Sequence, residues 1–360
     1  MSASSLPLNI YLPAVGNPLK IEYEIQSGRV SRVQVSLGYS HRGIEKLAGE
    51  QNLWQNLVLL QRICGICTAS HTTCFCQALE KLGRISIPQR AASIRTLVAE
   101  IERIQSHLFP LIFIADHLDL SSCLSSLFEA RENAAAMLNL VTGKRVNYDF
   151  NQVGGVRINL KDSHLIKTLL SRLDAVDQSR EEMDRCLITH SRLRGIGILS
   201  TQDAQSTLAT GPVARASGIS QDIRKNDGYA FYPHLDFQIP VKNTGDVLAR
   251  CEVRVLEIGE SIRMIRQLLT SLHSLPESPV SIDPSFPLPA GSVAASVEAP
   301  RGENFYRIVL SDHLHLEQIH ITTPTDRNLD ALKIVLTDSY VEDVPLIVAS
   351  IDPCYACLER

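Results

Sequence analysis

The sequence predicts an α+β fold that is mainly α: a central bundle of long helices, a small N-terminal antiparallel β layer and short C-terminal strands. Three observations carry this. Apolar residues recur at helical spacing over several long stretches, strict alternation is confined to the first forty residues, and short β-type runs follow a proline-rich segment that ends near residue 300. At 360 residues the chain exceeds the roughly 250–300 at which a single core stops growing. Its 44% apolar and 21% charged residues exclude disordered, collagen-like and coiled-coil classes.

Within residues 8–37 the runs LKIEYEIQ and RVSRVQVSL alternate on either side of Ser27-Gly28, a hairpin pattern. From Gly43 to about Leu82 the spacing turns helical, with Leu53, Leu57, Leu60 and Ile63 on its apolar side. A second helix is expected after Pro88, its stripe supplied by Ile94, Leu97, Ile101, Ile104 and Leu108. Further helices are predicted near 123–142, 163–189 and 245–274, with irregular chain at 146–160 and 200–244. Residues 275–300 hold enough proline to read as a connector. Short strands near Tyr306–Leu310 and Ile319–Thr323, a helix near 327–337 and an apolar run into Asp352 complete the chain. The expected division is a β hairpin layer over 1–40 and a helical domain over 41–360, packed as one unit.

Lys+Arg 35 against Asp+Glu 39 leaves −4, so the chain lacks the basic excess that a phosphate backbone needs, and no nucleic-acid partner is expected. No apolar run approaches the ~18 residues that span a bilayer, and MSASSLPLNIY lacks a signal-peptide pattern. The nine cysteines argue against a disulfide scaffold, being odd in number in a long chain without that pattern. Four form two C-x-x-C pairs, Cys64-Gly-Ile-Cys67 and Cys354-Tyr-Ala-Cys357, with residues 68 through 353 between them. A C-x-x-C step lets two thiolates converge on one ion, and two steps make an S₄ site of the kind zinc or iron–sulfur ligation uses. The residues alone leave three readings open: one shared metal centre, a structural zinc, or unconnected thiols. A zinc staple usually joins pairs tens of residues apart in a module without its own core, which a chain of this size does not need.

The segments Arg42-Gly43-Ile44-Glu45, Arg62-Ile63-Cys64-Gly65-Ile66-Cys67-Thr68-Ala69-Ser70-His71 and Asp352-Pro353-Cys354-Tyr355-Ala356-Cys357 resemble the large subunit of [NiFe] hydrogenases. Glu102-Arg103-Ile104-Gln105-Ser106-His107-Leu108, Gly154-Gly155-Val156-Arg157 and Glu298-Ala299-Pro300-Arg301-Gly302-Glu303 look like its energy-converting, membrane-associated branch, which is similar to the quinone-site subunit of complex I. The likeness covers nearly the whole chain.

The resemblance implies that Cys64 and Cys354 are terminal nickel ligands, while Cys67 and Cys357 bridge nickel to an iron that carries carbon monoxide and cyanide. It places Arg301 above the open metal position with Pro300, Asp352 and Glu102 around it, and Arg62 and Arg301 are the cations expected to offset the thiolates. The implied reaction is reversible heterolytic cleavage of H₂, with Cys354 as first proton acceptor and a relay beyond it. Relatives commonly carry a glutamate before a proline in the first hairpin; here Asn17 precedes Pro18, so either Glu45, Glu102 or His71 relays the proton instead or the correspondence slips at that position. In many relatives the RGxE glutamate, here Glu45, helps bind magnesium or iron near a C-terminal histidine. This sequence ends in Arg360, which cannot ligate a metal, so a Glu45–Arg360 ion pair is expected instead. A terminus at Arg360 also fits a form processed after metal insertion, or one that needs no processing.

The implied partners are a [4Fe-4S] small subunit, a ferredoxin-like carrier and integral membrane subunits that move ions, with this chain peripheral on the cytoplasmic face of the membrane. The rivals are a quinone-reducing subunit of complex I type, whose members lack both cysteine pairs, and a non-catalytic zinc-stapled scaffold. Cys74, Cys76, Cys123, Cys186 and Cys251 are expected to be small buried hydrophobes. His71, one turn after Cys67, is either a hydrogen-bond partner of the cluster or a satisfied core histidine. His313 and His315 are expected on a solvated β edge, and Gly154-Gly155 lacks a phosphate-loop pattern.

Overall fold

A computed structural model describes residues 5–10, 19–38, 40–188, 190–276, 278–282, 288–311 and 315–360. In chain order it begins with β1 (Ser5–Ile10), β2 (Leu19–Gln26) and β3 (Arg29–Ser36), an antiparallel sheet in sequence order. The expected hairpin is β2–β3, closed at Ser27-Gly28; β1 adds a third strand that the alternation alone did not announce. Ile21, Tyr23 and Val30 are buried in the same core as the helices. The strand β3 is tied to a later loop by Val30 N–H on Ser339 O at 2.9 Å.

Three helices fill the stretch expected to be helical from Gly43 to Leu82: α1 (Ile44–Ala48), α2 (Leu53–Leu60) and α3 (Thr68–Gly83). Asn52 and Gln55 form a reciprocal capping box at the start of α2, the Asn52 side chain accepting from Gln55 N–H at 2.9 Å and Gln55 Oε1 from Asn52 N–H at 3.1 Å. The break between α2 and α3 holds the first C-x-x-C pair.

The bundle follows: α4 (Gln89–His117), α5 (Ser121–Thr142), β4 (Asn151–Gln152) paired with β5 (Gly155–Val156), α6 (Ser163–Ile188), the short helices α7 (Thr201–Ser206), α8 (Gly211–Ala216) and α9 (Ile223–Asn226), and α10 (Val247–Ser274). Helix α4 packs on α5 and α10, and α6 packs on both α5 and α10. It runs nine residues past Leu108, continuing through Pro110, which cannot donate to the Ser106 carbonyl. Because α4 is buried on almost every side, its charged residues must pair inside. Glu100 meets Arg103 at 3.2 Å and Arg224 at 3.2 Å and accepts the Tyr232 hydroxyl at 2.6 Å, while His107 meets Glu257 at 2.8 Å. Glu257 also binds Arg215 at 2.6 Å, and Arg215 binds Glu298 at 2.8 Å.

The C-terminal part holds β6 (Gly291–Ala299), β7 (Gly302–Leu310) and β8 (Leu316–Thr322) as an antiparallel sheet, then α11 (Pro324–Leu336), α12 (Val344–Ile351) and α13 (Tyr355–Leu358). The reading of 275–300 as a connector is corrected here, since β6 occupies its last third. No proline stands between Pro289 and Pro300, and GSVAASVEA there carries the β-branched and small residues of a strand. The apolar run before Asp352 is helix α12. Asn17 and His313 lie outside the described residues, while His315 is exposed.

Candidate metal centre

The two chain ends are brought together by backbone carbonyls facing one side chain. Arg42, just before α1, donates to Arg62 O at 3.0 Å, Ile63 O at 2.9 Å and Glu359 O at 3.2 Å, and also to Ala356 O. The carboxylate of Glu359 accepts from the backbone of Gly38 and of Ser40. Cys354 N–H donates to Thr325 Oγ1 at 3.0 Å, tying the second motif to the first turn of α11.

Within this frame Cys64 Sγ lies 3.4 Å from Cys354 Sγ, and Cys67 Sγ 3.6 Å from Cys357 Sγ. The ligand atoms of Cys64, Cys354 and Cys357 all lie within 4.8 Å of one another, as do those of Cys67, His71 and Cys357. None of the four cysteines is more than 5% exposed. Hydrogen bonds from Cys357, Cys64 and Cys67 hold the Cys354 thiol well below its ordinary range, with Arg301 assisting. Donating to Cys354 raises the Cys67 and Cys357 thiols, and burial adds to this.

Arg301 and Pro300 form the two-residue turn between β6 and β7. Arg301 donates to Asp352 Oδ1 at 2.8 Å, Asp352 O at 2.9 Å and Ser106 Oγ at 3.2 Å. Asp352 ends α12 in the left-handed region, at φ 59, which turns its carbonyl back toward that guanidinium. Gly211, at φ +65, approaches so closely that a Cβ there would sit 2.1 Å from Arg301 O. Burial opposes the charge on Arg301, yet Asp352 and then Cys354 hold it firmly protonated. Desolvation raises the Asp352 carboxyl, and its Oδ2 has no hydrogen-bond partner among the described residues.

Glu102 sits under the start of α3, where Ala69 N–H (2.7 Å), Ser70 N–H (3.2 Å), Ser70 O–H (3.2 Å) and Asn147 Nδ2 (3.2 Å) donate to it. These amides are free because a first helical turn has no internal acceptors. Burial nevertheless pushes its carboxyl up to about 7. His71 lies one turn into α3, with Nε2 3.5 Å from Cys357 Sγ and Nδ1 2.8 Å from the Tyr306 hydroxyl. Desolvation lowers its pKa to about 3, so it is neutral.

Two further placements concern the surroundings of the cysteines. Glu45 Oε1 accepts from Ile321 N–H at 2.8 Å and from Arg360 Nε at 3.4 Å, and Arg360 also binds Asp326 at 2.9 Å and Cys357 O at 2.6 Å. The expected ion pair is therefore formed. Arg62 is not among the sulfurs: its side chain is exposed, donating to Val58 O at 2.6 Å and lying over the Tyr148 ring. Lying beside the motif in sequence does not direct its guanidinium inward, and it is Arg42 that takes the carbonyls of Arg62 and Ile63. Sequence reasoning quoted Arg42 and Ser106 only as parts of motifs, and it missed Asn147 and Tyr306 as site residues, since they stand in segments with no ligand-like spacing. Arg157 is exposed.

The family models match in two pieces: that of nickel-dependent hydrogenases over residues 42–163, and that of the respiratory-chain NADH dehydrogenase 49 kDa subunit over 119–285 and 280–360. The carbon monoxide-induced hydrogenase of Rhodospirillum rubrum is 36% identical, with 100% of each chain aligned. This chain belongs to the family of hydrogenase large subunits and complex I 49 kDa subunits. Within that family it is also 32% identical to a subunit of the F420H2 dehydrogenase of Methanosarcina mazei, over 97% of this chain and 95% of that protein. A subunit of the NADH-quinone oxidoreductase of Dehalococcoides mccartyi is 31% identical over 94% of each. A subunit of the membrane-bound sulfane sulfur reductase, an archaeal respiratory membrane complex, superposes with a TM-score of 0.92 at 30% identity, covering 99% of this chain and 98% of that one. Among the described residues no helix is long and apolar enough to cross a membrane.

Proposed function

We propose that this chain is the catalytic large subunit of a [NiFe] hydrogenase, in which Cys64, Cys67, Cys354 and Cys357 hold one nickel and one iron, the iron carrying carbon monoxide and cyanide. The observation that carries the reading is the convergence of four buried sulfurs from opposite ends of the chain, 3.4 and 3.6 Å apart across the pairs. The donor set fits: soft thiolates suit nickel and iron, and a buried cation, Arg301, stands against their charge.

When bound, the nickel–iron group supplies reversible heterolytic cleavage of H₂. The chain provides the proton chemistry around it. The Cys354 sulfur is the first acceptor. Arg301, with Pro300 setting its turn and Asp352 fixing its plane, presents a donor array that neither gives up its proton nor swings away. Glu102, poised near neutrality, takes the proton onward. Neutral His71 steadies Cys357. The Glu45–Arg360 pair would replace the magnesium or iron ion that the resemblance implies beside this glutamate in many relatives. Electrons leave through a [4Fe-4S] small subunit toward a ferredoxin-like carrier, and the assembly couples this to ion-translocating membrane subunits, with this chain peripheral on the cytoplasmic face.

A second reading, a quinone-type subunit of a complex I-like assembly, is favoured by the likeness to the NADH-quinone oxidoreductase relative over nearly the full length. Infrared spectra of the purified complex separate the two. Bands of metal-bound carbon monoxide and cyanide, together with H₂-dependent dye reduction, support the hydrogenase. Quinone reduction with neither band supports the alternative.

A further inference from the structure

Beside Ser70, which donates to Glu102, α3 and α4 are parted from the segment 229–232 and β6 by a cleft of about 10 Å³, room for the centre of about one water. Ser70, Thr73, Tyr229 and Glu298 line it, and Ala99, Tyr229 and Ala230 at its rim are partly exposed. Its polar groups have capacity to spare. Ser70 Oγ donates to Glu102 Oε1 at 3.2 Å and accepts from nothing among the described residues. The Tyr229 hydroxyl oxygen accepts Glu298 N–H at 3.0 Å, which leaves its own hydrogen to donate. Each carboxylate oxygen of Glu298 takes one bond, from Arg215 or from Ile223 N–H, and keeps a lone pair.

We propose that Ser70, a water in this cleft, Tyr229 and Glu298 form the route by which Glu102 exchanges its proton with solvent. The route rests on the hydrogenase reading for its purpose but not for its geometry. A protonated Glu102 turns its O–H onto Ser70 Oγ while the Ser70 hydrogen passes to the water. The water, held by the Tyr229 hydroxyl donating to it, passes a proton either out past the rim or to the Glu298 carboxylate, and the return transfer restores each bond. Atoms and charge balance, since only protons move. The two carboxyls at its ends are both pushed up to about 7 by burial, so neither end traps the proton.

Two readouts on the purified complex test this. In H₂O under D₂, HD forms only when the released deuteron leaves for solvent and a proton returns. Ser70→Ala should slow HD formation about 10-fold and Tyr229→Phe about 3-fold, with Ser70→Thr within about twofold of the unsubstituted complex. Independently of turnover, the protonated-carboxyl infrared band that disappears in Glu102→Gln should shift after transfer to D₂O about 10-fold more slowly in Ser70→Ala. Rates unchanged in both Ser70→Ala and Tyr229→Phe overturn the route. If the unsubstituted complex makes no HD, the hydrogenase reading falls instead, and the infrared band alone decides the route.

Discussion

Replacing Arg42 with methionine isolates the contact that joins the two cysteine motifs. The side chain keeps its length but loses donors to Arg62 O, Ile63 O, Ala356 O and Glu359 O. A bond from a cation to a carbonyl contributes about 1.5–3 kcal/mol when dry, and the exposure of Arg42 brings the four together to about 3 kcal/mol. The loss of about 3 kcal/mol falls on the local opening of residues 354–360, because the rest of the fold does not lean on this contact. Amide hydrogen exchange of the metal-free protein reads that opening at Cys357, Leu358 and Glu359, whose N–H groups bond to Cys354 O and Tyr355 O. Protection there should fall about 100-fold, since each 1.4 kcal/mol is about tenfold, and thiol reagents should reach Cys354 correspondingly faster. Arg62→Met is the control, an exposed residue whose loss should cost less than about 0.5 kcal/mol. Protection in Arg42→Met within threefold of the unsubstituted protein would refute the claim that this guanidinium holds the chain ends together.

Three further outcomes follow from the same geometry. The Glu102 carboxyl is raised to about 7 from an ordinary 4.5, so it contributes about 3 kcal/mol of stability to the metal-free protein that is lost as pH rises through that window; the difference in unfolding stability between pH 5 and pH 8 should shrink by about 2–3 kcal/mol in Glu102→Gln, leaving the share of Glu298, and an unchanged difference would contradict it. Arg215→Met strands the buried carboxylates of Glu257 and Glu298, and urea unfolding should show a loss of about 3–5 kcal/mol; a loss below about 1 kcal/mol would contradict the pairing. Cys74, fully buried with its thiol on Ala295 O and Asn304 O, is a packing residue; Cys74→Ala should cost about 1 kcal/mol and leave the metal content untouched.

Much of this was readable in the chain because helix periodicity and the C-x-x-C step are local signals. The α10 stripe and the break that carries Cys64 and Cys67 both announce themselves within a short stretch of sequence. β1 did not, since its partner in β2 lies beyond residues 11–18 and its own run of six is short. β6 was obscured by the prolines before it. At the site, spacing identified the four cysteines, and the resemblance supplied Arg301, Asp352 and Glu102. Their physical setting is not local: Glu102 meets amides 32 and 33 positions away, and Arg301 meets Ser106 195 positions away. Arg62 illustrates the reverse error, in which nearness along the chain is taken for nearness in space. Arg42, whose partners reach from residue 62 to residue 359, could be assigned its work only once the ends were seen together.

Metal analysis of the purified complex tests the central claim most directly, run in parallel on unsubstituted, Cys64→Ser and Cys74→Ala proteins. A shared dinuclear centre predicts nickel and iron in equal amounts bound to this chain in the first and third, with nickel lost in the second. Zinc in place of both metals, or nickel retained in full by Cys64→Ser, would contradict it.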